Sequence, residues 1–193
     1  MRLRLVSAAT IVIAALFAAT GASKAQSFFS NDDRYANFSH GGYANYSPIP
    51  KTQVSLAGDY SPGTIIINTG ERRLYYVLGD GQALRYGIGV GRLGFTWAGT
   101  TAVSAKKEWP EWTPPSQMLH RRPDLPRHMK GGIENPLGAR AMYLGSSLYR
   151  IHGSNEPETI GQAVSSGCFR MTNDDVIDLY ERVRVGAKVI VLR

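Results

Sequence analysis

The chain has 193 residues, 43% of them hydrophobic and 19% charged, with 22 Lys and Arg against 15 Asp and Glu for a formal net charge of +7. That length suffices for one domain with a real core plus a tail. The mild positive excess forms no dense basic patch, which argues against nucleic acid as a partner, and one cysteine cannot close an internal disulfide.

Residues 1–25 read as a cleavable export signal. Arg2 and Arg4 give a basic start, an apolar run follows, and Ser23-Lys24-Ala25 supplies a small-x-small cleavage site. The apolar run is interrupted by small residues and is short for a membrane anchor, so cleavage between Ala25 and Gln26 is expected, with an uncleaved anchor as the alternative. Cleavage removes Arg2, Arg4 and Lys24 and no acid, lowering the net charge from +7 to +4. Residues 26–60 are rich in Ser, Asn, Gly and Tyr without a sustained period and read as a flexible lead-in. His40 within it reads as a linker histidine.

The folded domain is expected over 61–193. Residues 64–69 and 72–78 are β-rich runs separated by Gly70-Glu71, a hairpin signal. Residues 83–91 follow as a third strand whose internal glycines predict a bulge or a close backbone approach. Residues 102–106 give a further strand. Six prolines between Glu108 and Gly138 are expected to break all regular structure, and so long a loop inside a domain is usually functional. Trp109 and Trp112 are candidates to wall a groove there, with simple docking on the core as the alternative. The chain returns to strand over 140–145 and 147–153. A helix is predicted behind Thr172, an N-cap with Asp175 three positions on. Val176, Leu179, Tyr180 and Val183 form its apolar stripe, Gly186 ends it, and residues 187–192 close as a strand. The domain is therefore mainly β.

The chemistry concentrates at His152 and Cys168, 16 positions apart and flanked by Gly153 and Gly167. A sheet-held imidazole beside a thiol can generate a thiolate and shuttle its proton. A sharp turn at Gly167 can aim amide groups at a developing oxyanion. Each residue alone also has a plainer reading: a satisfied strand-end histidine, and a cysteine that is a small buried hydrophobe or an intermolecular link. Zinc would require ligand spacings that are missing, and Gly63, Gly89 and Gly91 do not open a helix as a nucleotide loop would. The residues alone define an exported, mostly β protein with a Cys–His pair suited to acyl transfer.

The stretch YRIHGSNEPETIGQAVSSGCFRMTNDDVIDLY, residues 149–180, resembles the signature of the L,D-transpeptidase catalytic domain, the YkuD-like or ErfK/YbiS/YcfS/YnhG family. LYYVLGDGQALRYGIGVG, EWPEWTPP and GGIENPLGARAMYLG resemble its upstream blocks, so the similarity spans roughly residues 62–193. The resemblance implies a β-sandwich catalytic domain with a helix following the nucleophile. It makes Cys168 the nucleophile, His152 the general acid/base, the Gly153 carbonyl the group orienting the imidazole, and Gly167 part of the oxyanion region. Arg170 fixes the site or an anionic substrate group. Ser166 stands where the commonest family form has a histidine, and a hydroxyl cannot carry an imidazolium's proton; it joins Trp109 and Trp112 as a substrate-binding candidate. The implied reaction is attack on the bond between meso-diaminopimelate and the terminal D-alanine of a tetrapeptide stem, in the periplasm. An amine then resolves the thioester to a 3→3 crosslink. The alternatives are attachment of an outer-membrane protein to peptidoglycan and a non-catalytic peptidoglycan-binding module. No metal or organic cofactor is implied.

Overall fold

Residues 47–193 are described by a computed structural model; the expected leader at 1–25, most of the expected lead-in, and His40 lie outside the described residues. The described part of that lead-in contains a strand. β1 (Thr52–Ser55) pairs antiparallel with β4 (Gln82–Gly87). Three of its four residues are exposed, so it carries no apolar alternation for a periodicity reading to find.

The expected hairpin forms from β2 (Ile65–Asn68) and β3 (Arg73–Gly79), and β3 pairs onward with β4. The glycine-rich third strand splits: β4 stops at Gly87 and Val90–Gly91 forms the short β5. At Gly89, between them, a Cβ would lie 3.0 Å from the Thr159 carbonyl oxygen and 3.3 Å from Cβ of Arg170. Close backbone approach, rather than a bulge, accounts for this glycine.

β6 (Gly99–Glu108) is longer than the sequence suggested and sets the architecture. The rest are β7 (Arg140–Leu144), β8 (Arg150–His152), β9 (Ala163–Ser165), β10 (Phe169–Arg170) and β11 (Lys188–Leu192). The main sheet has the order β1-β4-β3-β2-β11-β6-β7-β8-β10, and β5 pairs with β9 beside it. The first part of β6 registers with β11 and the remainder with β7, with an irregularity between Val103 and Ala105. Such an irregularity bends a strand and sharpens its twist, so the sheet folds over into two layers. Ile65, Ile67, Leu74 and Tyr86 of one half pack with Met142, Leu144, Ile151 and Phe169 of the other. At the far end Gly89 and Arg170 exchange both backbone hydrogen bonds, each 2.9 Å. The terminal strand β10 thus meets the continuation of β4.

The helix behind the cysteine is α2 (Asn173–Arg182), capped as expected: the Asp175 N–H donates to Thr172 Oγ1 at 3.3 Å. Val176 and Leu179 on its apolar stripe are fully buried. It ends at Arg182, short of Gly186, because Lys106 Nζ reaches across from β6 and donates to the carbonyls of Tyr180 (2.6 Å) and Val183 (2.7 Å). A cation on the last carbonyls terminates the helix there.

The proline-rich segment is not devoid of regular structure. α1 (Ser116–Arg121) starts directly after Pro114-Pro115, and Trp112 and Met129 exchange backbone hydrogen bonds of 2.9 and 2.8 Å. Proline at a helix start is tolerated because the first N–H groups have no intrahelical partner, and residues 116–122 contain none.

Candidate active site

β8 and β10 run parallel, with Phe169 opposite Ile151 and Arg170 opposite His152. Parallel neighbours cannot be joined by a tight turn and require a crossover of a dozen or more residues. The 16-position separation of His152 and Cys168 is that crossover, and it holds a 3-10 turn (Pro157–Thr159) and β9. Side chains alternate across a strand. Ile151 and Phe169 point into the core, 0% and 1% exposed, so His152 and Arg170 share the opposite face. One alternation back, Arg150 and Cys168 fall on that same face.

His152 is buried, and its Nδ1 lies 2.6 Å from the Gly153 carbonyl oxygen. That oxygen only accepts, so Nδ1 carries the proton and Nε2 is left as the acceptor. Burial, helped by the Arg170 charge, pushes the imidazole down to about 3, against the opposing pull of the Gly153 carbonyl. Burial likewise pushes the Cys168 thiol up, opposed by hydrogen bonding from Arg150 and by the Arg150 and Arg170 charges. Its Sγ lies 3.8 Å from the Leu148 carbonyl oxygen. At rest the site therefore holds a neutral thiol and a neutral imidazole.

The turn that presents Cys168 is clamped from several sides. Gly167 has φ +110°, and a Cβ there would lie 2.5 Å from Cε1 of Tyr149; only glycine fits. Trp97 stacks on Tyr149 at 4.9 Å between centroids and donates from Nε1 to the Gly167 carbonyl at 3.3 Å. Ser165 Oγ accepts from the Gly167 N–H at 3.1 Å and donates to the Cys168 carbonyl at 2.6 Å.

The expected site residues divide accordingly. His152, Gly153, Gly167, Cys168 and Arg170 come together. The Gly167 amide, expected to face an oxyanion, is committed to Ser165. Arg170 forms an ion pair with Glu156 at 2.7 Å, which ties β10 to the crossover. Ser166 sits half-buried within the turn. Trp109 and Trp112 lie at the root of the proline-rich segment, donating backbone N–H bonds to Ala139 (2.8 Å) and Met129 (2.9 Å). The tryptophan seen on the cysteine turn is Trp97. Trp97, Tyr149, Arg150 and Ser165 were missed because their signal is contact across strands, which spacing does not carry.

The proline-rich segment borders this region at two places. The Arg121 guanidinium of α1 lies 5.5 Å from the centroid of Phe95, whose carbonyl oxygen abuts Gly167. Asn155, three residues past His152, donates to the Glu134 carbonyl at 3.1 Å.

Fold and site together define a class: a two-layer β domain that sets a thiol and an imidazole on one face of neighbouring parallel strands. The model of the L,D-transpeptidase catalytic domain (YkuD) matches residues 62–191, and the chain belongs to that family. It is 42% identical over 134 residues to the probable L,D-transpeptidase YbiS of Escherichia coli K12, a match covering 65% of this chain and 43% of that protein. The chain thus spans less than half the length of that curated relative. Among solved structures, a Brucella melitensis protein described as a probable carnitine operon oxidoreductase is 45% identical, with a TM-score of 0.52 over 76% of this chain and 96% of that one. An L,D-transpeptidase from Mycobacterium smegmatis shares the fold at 19% identity, with a TM-score of 0.54 over 67% of this chain and 58% of that one.

Proposed function

We propose that this chain is a peptidoglycan L,D-transpeptidase acting by cysteine acyl transfer. The observation that carries the reading is an imidazole tied through Nδ1 to the Gly153 carbonyl, on the same sheet face as Cys168. The thiol proton passes to Nε2 of His152 as sulfur attacks the carbonyl joining meso-diaminopimelate to the terminal D-alanine. The carbon–nitrogen bond breaks, the imidazolium returns its proton to the departing amine, and a thioester remains. An acceptor amine gives up a proton to His152, attacks the thioester and regenerates the thiol. The developing oxyanion is served by the amide of Cys168, since that of Gly167 is occupied. Arg170 fixes the crossover, and Ser166, Trp109 and Trp112 are the candidate substrate contacts.

The acceptor is another stem peptide, giving a 3→3 crosslink, and the enzyme works in the periplasm after loss of residues 1–25. An oxidoreductase reading finds no support at the glycines, because Gly89 pairs with Arg170 and Gly91 with Ser165 in strand geometry, rather than opening a helix beneath a dinucleotide.

Purified tetrapeptide muropeptides provide the test, with products separated by mass spectrometry. D-alanine release together with 3→3 dimers, both lost in Cys168→Ala, is the expected result. Binding without release would leave only a peptidoglycan-binding module. Sacculi from cells with and without the gene identify the acceptor: loss of covalently bound protein with unchanged 3→3 dimers would reassign it to an outer-membrane protein.

A further inference from the structure

The two arginines that flank the thiol differ in how their charges are answered. Arg170 is paired with Glu156. Arg150 has no carboxylate partner among the described residues. Its Nη1 donates to the Leu148 carbonyl at 2.9 Å, its guanidinium lies 5.0 Å from the centroid of Tyr143, and its Nε is buried without a hydrogen-bond partner. A partly buried cation held this way is costly unless something compensates it.

The same Leu148 carbonyl faces Cys168 Sγ at 3.8 Å. A carbonyl oxygen suits an S–H group and repels an S⁻. When the proton leaves for His152, negative charge grows on sulfur beside the negative end of that dipole. The Arg150 Nη1 and the Cys168 sulfur meet at that one oxygen, at 2.9 and 3.8 Å, and the Arg150 charge favours the ionised sulfur. Arg150 is therefore placed both to draw that dipole's field and to answer the new charge.

We propose that Arg150 is a catalytic residue of this domain, the cation that stabilises the Cys168 sulfur while it carries negative charge. The inference rests on the reading of Cys168 as the nucleophile. Arg150 gives up no proton in the step: the proton moves from Sγ to His152 Nε2, and the guanidinium stays charged throughout. The other groups facing the sulfur are His152 on β8 and Arg170 on β10, the latter answered by Glu156. Lys107 on β6 lies 5.9 Å from the Tyr143 ring on which Arg150 also rests.

Alkylation of the full chain by iodoacetamide, an uncharged reagent, followed against pH, tests this directly. Arg150→Met is expected to move the midpoint of the profile up by about one pH unit or more and to slow alkylation at neutral pH about tenfold. Arg150→Gln keeps a donor for the Leu148 carbonyl and removes the charge, so it gives the same shift should the methionine variant fail to fold. Arg150→Lys keeps the charge and holds the midpoint close to the parent. With muropeptides, the loss falls on kcat and leaves KM unchanged, as for a group that acts on charge formed during reaction. A folded Arg150→Met or Arg150→Gln protein with the parent profile would overturn the proposal, as would a folded Arg150→Lys as impaired as Arg150→Met. Alkylation reports on the thiol whether or not D-alanine is released, so the outcome stands apart from that of the transpeptidase test.

Discussion

At the residue scale, the Cys168 thiol makes a weak polar contact of 3.8 Å to the Leu148 oxygen. Cys168→Ala should therefore cost about 1 kcal/mol or less in stability while abolishing acyl transfer and the carbapenem adduct expected of this family. Urea denaturation and intact-mass measurement check the two halves. Because burial holds the thiol above its ordinary value of 9.0, its proton is bound more tightly and the thiolate fraction at any pH is smaller. Alkylation should keep rising with pH where an exposed cysteine has levelled off, and an earlier plateau would contradict the burial reading. That His152 and Cys168 could meet was legible in the sequence, because their spacing is one a crossover can bridge; their roles came from the family resemblance. Arg150 was not legible: what distinguishes it is a carbonyl shared with the thiol, a product of strand pairing.

At the element scale, α2 starts five residues after Cys168, so its cap holds the end of the cysteine turn as well as the helix. Thr172→Ala is expected to destabilise the domain by about 1 kcal/mol, read as a lower urea midpoint with an unchanged slope. An unaltered midpoint would mean that burial of the apolar stripe alone sets the helix start. The start of α2 was readable from Thr172 and Asp175, since capping is a local affair. Its end was not, because Lys106 closes it from a strand more than seventy positions upstream. α1 escaped notice for the opposite reason: six prolines in the surrounding segment outweighed a proline-free run of one and a half turns that two of them help to start.

At the scale of the whole molecule, two groups couple stability to pH in different windows. An unfolded chain protonates His152 near pH 6.5 and the folded one only near about 3. Unfolding between those values takes up a proton, so stability falls as the pH is lowered, by at most about 1.4 kcal/mol per pH unit. His152→Gln should flatten this part of the acid profile in urea titrations; an unchanged slope would show that other groups dominate. Asp178 acts lower. Burial pushes its carboxyl up, but hydrogen bonds from Arg182, Tyr86 and Lys51 outweigh this and bring it down to about 2. Tyr86 donates at 2.6 Å and Lys51 approaches to 3.0 Å, so this carboxylate joins β4, α2 and the segment leading into β1. Its contribution is complete above its ordinary value of 3.8 and disappears as the pH falls through about 2. Asp178→Asn should lose about 1–3 kcal/mol at pH 7, with the deficit gone in strong acid. The joining of distant segments was beyond the sequence reading, and so was the last strand's insertion at the middle of the sheet, between β2 and β6. That insertion has a consequence for fragments. A chain nicked once at the exposed Glu158 keeps His152 on one piece and Cys168 on the other, yet β11 of the smaller piece is hydrogen-bonded on both sides to strands of the larger. The two pieces should co-elute as one particle without a covalent link between His152 and Cys168, and still take up one carbapenem on the smaller.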